Sequence, residues 1–116
     1  MPAIKDSTPN QPLTPAMHHI LLALLEGDRH GYAIMQSVET ISHGEMRLGP
    51  ATLYSSIKKL IDGKLIEESG DRPDADNDDE RRRYYRMTAV GKKAVVAETD
   101  RLERLVTFAH RFVRAI

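Results

Sequence analysis

Two stretches carry the side chains best suited to chemistry. Residues 49–68 read GPATLYSSIKKLIDGKLIEE, and residues 81–93 read RRRYYRMTAVGKK. In the first, Leu53, Ile57, Leu60 and Ile61 recur at i, i+4, i+7 and i+8, the spacing of a helix with one face in a core. The opposite face holds Ala51, Thr52, Ser55, Ser56, Lys58, Lys59 and Asp62. Small hydroxyl-bearing and amine side chains can approach a nucleic-acid groove closely and bond phosphates and base edges. The second stretch sets Arg81, Arg82, Arg83 and Arg86 around Tyr84 and Tyr85, with six basic residues, no acidic one and a local charge of +6. Guanidinium groups in such a run bind phosphate whatever the base sequence. Each stretch alone also has an ordinary reading, as the wet face of a surface helix or as a charged strand that discourages edge pairing. Their order and spacing together favour DNA.

Other reactive groups are less organised. Residues 71–80, DRPDADNDDE, hold six acids and one arginine, a local charge of −5. Asp71, Asp74, Asp76, Asp78 and Asp79 partly mimic a calcium loop, but the central glycine and the terminal bidentate Glu are out of place. The five histidines, His18, His19, His30, His43 and His110, include no i, i+4 pair of the kind that holds a metal on a helix. No metal and no cofactor are expected. No nucleophile–base pair, phosphate-cradling glycine loop or paired-carboxylate cleft can be found, so an enzyme is not expected.

The elements that must position these residues follow from punctuation and period. Residues 1–12 are polar and proline-bearing, the composition of a mobile tail. Thr14-Pro15 is a helix start. Met17, Ile20, Leu21, Leu24 and Leu25 follow at helical spacing up to Gly27, a wide apolar face fit for the spine of a core. A second helix is expected from near Gly31, with Ile34, Met35, Val38 and Ile41 inward and Gly44 closing it. The third spans about residues 50–62, with Gly63 in the C′ position that glycine favours. The period then changes. KLIEES and RRRYYRMT read as two strands joined by a solvated loop over residues 70–80, with Tyr84 and Tyr85 on opposite faces. Thr88 reads as an N-cap, and a last helix runs from residue 89 to 116. Along it Leu102, Leu105, Ala109, Phe112 and Ile116 step by 3, 4, 3 and 4, an a/d seam widened by Val106 and Val113 and interrupted earlier by Glu98. Such a seam has to be covered.

At 116 residues, one domain is expected. Formal net charge is zero, unlike a typical nucleic-acid binder, yet a surface responds to local charge, and the −5 and +6 blocks need not coincide in space. With no cysteine, disulfides and thiolate metal sites are excluded. The N-terminus lacks the apolar core of a signal peptide. The longest apolar run, ILLALL, falls far short of the about 20 residues that span a bilayer. A cytoplasmic protein without membrane association is expected.

Three helices followed by a two-stranded hairpin is the order of a winged helix-turn-helix. The fold expected is therefore mainly α with a small β-hairpin: a DNA-binding unit at residues 13–88 and a last helix at 89–116 whose apolar seam has to be covered. In this arrangement the third helix enters a major groove about 12 Å wide, and the hairpin rests on the backbone beside it. HGYAI (30–34), ATLYSSIKKLIDGKLIE (51–67) and RRRYYRMTAVGKK (81–93) resemble the PadR family of transcriptional regulators. That family has His-Gly-Tyr at the second helix, Thr-Leu-Tyr opening the recognition helix, a Gly-Leu-Ile-like turn into the wing and Tyr-Tyr-x-x-Thr-x-x-Gly after it. The resemblance implies a homodimer joined through the C-terminal helix, repression from an inverted-repeat DNA operator, and release by a small effector or a stress signal, a small apolar or aromatic molecule being the candidate effector. An effector pocket would lie between the dimer helices and the first helix. One C-terminal helix matches the smaller subtype.

Carried onto this chain, the resemblance makes Thr52 a base or phosphate contact. It gives Tyr54 either a phosphate bond or a packing role against the wing, and places Lys58 one turn further on. It assigns Tyr32 a mostly structural role, with a DNA-backbone contact as the alternative, and Gly31 the tight entry into the second helix. The acidic wing tip departs from a DNA-touching wing. Either it bends away and leaves Arg81, Arg82, Arg83 and Arg86 near the backbone, or Arg72 alone reaches the minor groove. The competing function is a winged-helix adaptor that binds protein, which should show an apolar or acidic patch where this chain has Thr, Ser and Lys.

Overall fold

In a computed structural model of the protein, residues 13–69 and 83–113 are described. The tail at residues 1–12, the loop tip at 70–80 with Arg72, and Arg81, Arg82 and Ile116 lie outside them. Helix α1 (Pro15–Ala23) starts where Thr14 Oγ1 accepts the Met17 N–H at 3.1 Å and proline takes the first helical position. A short strand β1 (Arg29–His30) leads into α2 (Gly31–Ile41), capped by His30 Nδ1, which accepts the Ala33 N–H at 3.2 Å. Helix α3 (Pro50–Asp62) begins with Gly49 as N-cap and Pro50 at the first position. Strands β2 (Ile66–Glu68) and β3 (Tyr84–Met87) form the wing, and α4 (Ala89–Val113) ends the described chain.

The helix stops differ from the glycine rule in an instructive way. After α3 the left-handed residue is Lys64, at φ 65°, while Gly63 keeps an ordinary φ of −84°. The Leu65 N–H bonds the Leu60 carbonyl and the Lys64 N–H bonds that of Ile61, both at 2.9 Å. This is a Schellman closure, and its apolar clasp is the fully buried pair Leu60 and Leu65. The C′ position therefore lies one residue beyond the glycine. Helix α2 closes similarly, with His43 at φ 55° and Gly44 at φ 83°.

The core is built on α1, which packs on α2, α3 and α4 at once. Met17, Ile20 and Leu21 meet Ile34 and Val38 of α2, Leu53, Ile57 and Leu60 of α3, Ala94 and Val95 of α4, and Leu65, Ile66 and Tyr85 from the wing. Ile61 was expected on this stripe but is 36% exposed. The sheet has three strands, not the two expected, in the order β1-β3-β2 and all antiparallel. Its register sets Arg29 opposite Tyr85, and Glu67 opposite Arg86. The alternation of the tyrosines holds: Tyr85 is buried, and Tyr84 lies edge-on to the His30 ring at 5.3 Å between centroids.

One junction ties the wing to both neighbouring helices. Thr88 Oγ1 accepts the Gly91 N–H at 3.0 Å, the expected N-cap, and also donates toward the carbonyls of Lys64 and Leu65, at 2.7 and 3.0 Å. Gly91 is buried directly on the Leu65 carbonyl, where any side chain would overlap that oxygen.

Candidate nucleic-acid interface

Helix α3 turns Leu53, Ile57 and Leu60 into the core, which fixes what its other face presents. Thr52, Ser55, Lys58 and Lys59 are exposed there, as expected. Ser56 is not. It is 7% exposed because it lies three residues after Leu53 and four before Leu60, on the inward stripe. It cannot contact DNA from there. The Ser55 hydroxyl donates to the Thr52 carbonyl at 3.2 Å, and Lys58 Nζ lies 3.3 Å from Asp62 Oδ2. Among the described residues Lys59 has no carboxylate within ion-pair distance.

Tyr54 is half-buried and packs on the core rather than standing on the groove side. Its phenol lies across Gly31: a methyl there would overlap Oη and meet Cζ at 3.0 Å and Cε1 at 3.2 Å. Gly31 is therefore required for the close approach of Tyr54, not for a special backbone conformation at the helix entry. Tyr54 thus packs on the first turn of α2. Tyr32, expected to be mostly structural with a DNA-backbone contact as the alternative, is 57% exposed on the same first turn.

In the wing, Arg83 Nη1 bonds Glu68 Oε2 at 3.1 Å, and Arg86 Nε bonds Glu67 Oε2 at 2.9 Å. Both pairs are about half-exposed. The +6 block read from sequence is therefore partly cancelled by carboxylates of β2. That feature was illegible without the strand register.

A second surface lies along α4. Its buried residues, Gly91, Ala94 and Val95, all fall in the first two turns. Beyond them Leu102, Leu105, Val106, Ala109, Phe112 and Val113 are exposed, Phe112 at 58%. Phe108 joins them, 61% exposed and 5.1 Å from the Phe112 ring. Its i, i+4 relation to Phe112 was the available signal. Glu98 interrupts the seam as expected, because it faces α1. Arg101 bonds both its carboxylate oxygens, at 2.9 and 2.6 Å, and holds its carboxyl below the usual range. On α1, His18 is pushed below the ordinary imidazole value chiefly by burial. The nearby charge of Glu98 opposes that shift, and His19 and Arg101 reinforce it. Its Nε2 is buried with no hydrogen-bond partner among the described residues.

A groove of about 590 Å³ opens between α1 and α2, lined by residues including Leu22, Leu25, Arg29, Gln36 and Ile41. It is not the α1–α4 space expected to take an effector. Among the described residues no His, Asp and Glu side chains gather into a metal-binding group, and no helix is long and apolar enough to cross a membrane.

The family model described as "Transcriptional regulator PadR-like family" matches residues 20–97, more than half of the chain. The chain belongs to this family, and its fold is a winged helix-turn-helix with a C-terminal helix. It is similar to a transcriptional regulator from Clostridium thermocellum, at 26% identity and a TM-score of 0.68, covering 84% of this chain and 89% of that one. A PadR family transcription regulator from Clostridium difficile shares the fold, at 21% identity and a TM-score of 0.70, covering 86% of this chain and 99% of that one. An uncharacterized protein X from Lysinibacillus sphaericus is 36% identical over 74 residues, which are 63% of this chain. The chain spans 64% of that relative's length and 22% of a second, a 37.1 kDa transposon protein from Streptomyces fradiae.

Proposed function

We propose that this chain is a sequence-specific DNA-binding regulator that acts as a homodimer. Helix α3 reads the major groove, the wing rests on phosphates, and α4 joins two copies through Leu102, Leu105, Val106, Ala109, Phe112, Val113 and Ile116. The observation that carries this reading is the outward face of α3. It presents Thr52, Ser55, Lys58 and Lys59, small or cationic, on a helix whose inner face is pinned in the core. Such a face can enter a groove that admits one helix. Thr52 and Ser55 are the base-edge candidates. Lys58, Lys59, Arg81, Arg82, Arg83 and Arg86 are the phosphate candidates, and Tyr54 positions α3 against α2. The apolar length of α4 beyond Val95 supports pairing of copies, since exposed apolar patches of this kind mark interaction surfaces. Repression from an inverted-repeat operator, and release by a small apolar or aromatic effector, rest on family membership.

One observation favours the adaptor alternative. Lys58, Arg83 and Arg86 each face a carboxylate, so the interface is less basic than its arginines suggest.

The test is capture and sequencing of genomic DNA fragments by the purified full chain at about 150 mM salt, where sequence-independent binding is weak. Enrichment of a few fragments that share an inverted repeat is expected. A folded, dimeric protein that enriches nothing would favour the adaptor.

A further inference from the structure

Strand β2 places Glu67 and Glu68 side by side in a run of three residues. Glutamate is depleted in strands, so two in succession call for a reason. Each is matched, through strand pairing, to an arginine far away in sequence. Glu67 lies opposite Arg86 in the register and bonds it at 2.9 Å, and Glu68 reaches Arg83 diagonally at 3.1 Å. On α3, Asp62 holds Lys58 at 3.3 Å. Exposed pairs like these add little to fold stability, so stability alone does not account for their placement.

A carboxylate offers a guanidinium what a phosphate offers, namely two oxygens sharing one negative charge. We propose that Glu67 and Glu68, seconded by Asp62, are built-in stand-ins for DNA phosphate that hold down the sequence-independent affinity of the interface. This inference rests on the DNA-binding reading above. A free arginine that neutralises a phosphate releases a counterion, and each such event steepens log K against log salt by about 0.9. An arginine already neutralised by its own glutamate brings no net charge. A phosphate then exchanges with the carboxylate instead of adding an attraction. With the whole chain at zero formal charge, no net positive charge adds a long-range attraction. Retention on DNA then falls to base-edge contacts from Thr52 and Ser55 and to Lys59, which has no carboxylate within ion-pair distance among the described residues.

The bland alternative is that Glu67 and Glu68 blunt an exposed edge, since β2 is at the end of the sheet. One experiment separates the two. The full chain and its Glu67→Gln/Glu68→Gln variant are titrated by fluorescence anisotropy against a non-operator duplex and a captured genomic fragment, across a range of salt concentrations. The variant is expected to steepen the salt slope on both duplexes by about 1 to 2, and to raise non-operator affinity by on the order of tenfold at low salt. The charge-neutral swap Glu67→Gln/Arg86→Gln is expected to leave the slope at the wild-type value. Wild type that binds with a slope the first variant leaves unchanged overturns the inference while the DNA-binding reading stands. A variant that self-associates without a change in slope assigns the glutamates to edge protection. Binding by neither protein to either duplex, even at the lowest salt, brings down the DNA-binding reading and this inference with it.

Discussion

Replacing Gly91 with alanine sets two physical effects against each other, and the geometry says which wins. In the interior of a helix, alanine is favoured over glycine by about 1 kcal/mol. Gly91 lies in the first turn of α4, and its Cα faces the Leu65 carbonyl. A methyl there would overlap that oxygen and approach Met87 Cγ to 2.8 Å and the Leu65 carbonyl carbon to 3.0 Å. The methionine can move. The carbonyl is held by the Thr88 N–H and the Thr88 hydroxyl, both at 3.0 Å, and Leu65 is itself fixed by the turn that closes α3. Relief must therefore displace backbone. Overpacking typically costs about 1–3 kcal/mol, and two strained hydrogen bonds add about 1 kcal/mol each. Less the helix preference, Gly91→Ala should destabilise by about 2–4 kcal/mol. At about 4 °C per kcal/mol for a domain of this size, the melting midpoint falls by roughly 8–16 °C. Urea and thermal unfolding followed by circular dichroism, at one protein concentration, measure it, with exposed Lys92→Ala as the near-neutral control. A variant as stable as wild type, or more stable, would refute the contact between α4 and Leu65.

Phe112→Asp should convert a dimer into a monomer in sedimentation, because a charge in an apolar seam is costly to bury; an intact dimer would remove α4 from the interface. Thr88→Val should cost about 1–2 kcal/mol of stability by urea unfolding, through loss of the N-cap and of its bonds to the Lys64 and Leu65 carbonyls. His18→Leu should flatten the pH dependence of stability. Burial holds the folded-state pKa of His18 below the ordinary value, so its contribution is complete above about pH 6.5 and is lost as pH falls through the folded pKa. The wild-type melting midpoint should therefore drop on acidification by more than that of the variant, and parallel curves would exclude His18 as the group responsible.

Much of the fold was legible because punctuation and period agreed. Thr14-Pro15 and Thr88 mark helix starts by side-chain chemistry alone, and α3 spans the residues its stripe implied. The misses have distinct causes. Arg29–His30 is too short to show an alternation and has no β-branched residue; it pairs only because Tyr84 and Tyr85 supply an edge. The stop of α3 falls at Lys64 because the Leu60–Leu65 clasp sets the turn, overriding the local preference for glycine. Ser56 was readable: its spacing from Leu53 and Leu60 puts it inside, but its hydroxyl drew it to the polar face. The partners of Arg83 and Arg86 were not readable, since only a strand register tells which of several acids stands opposite which arginine.

The Thr88 junction has a mechanical consequence. One hydroxyl fastens the turn that ends α3 to the start of α4, and Gly91 seats α4 on the same carbonyl without a side chain between them. The joint has no slack, so α3 and α4 turn as one crank. Helix α4 has 25 residues and is therefore roughly 37 Å long at about 1.5 Å per residue. When two such cranks are pinned along their far arms, compliance lies in the pin and not in the elbow. If two copies pair along α4 as proposed, a small rotation at the seam would carry both α3 helices with it, and the distance between them would be set by how the long arms cross.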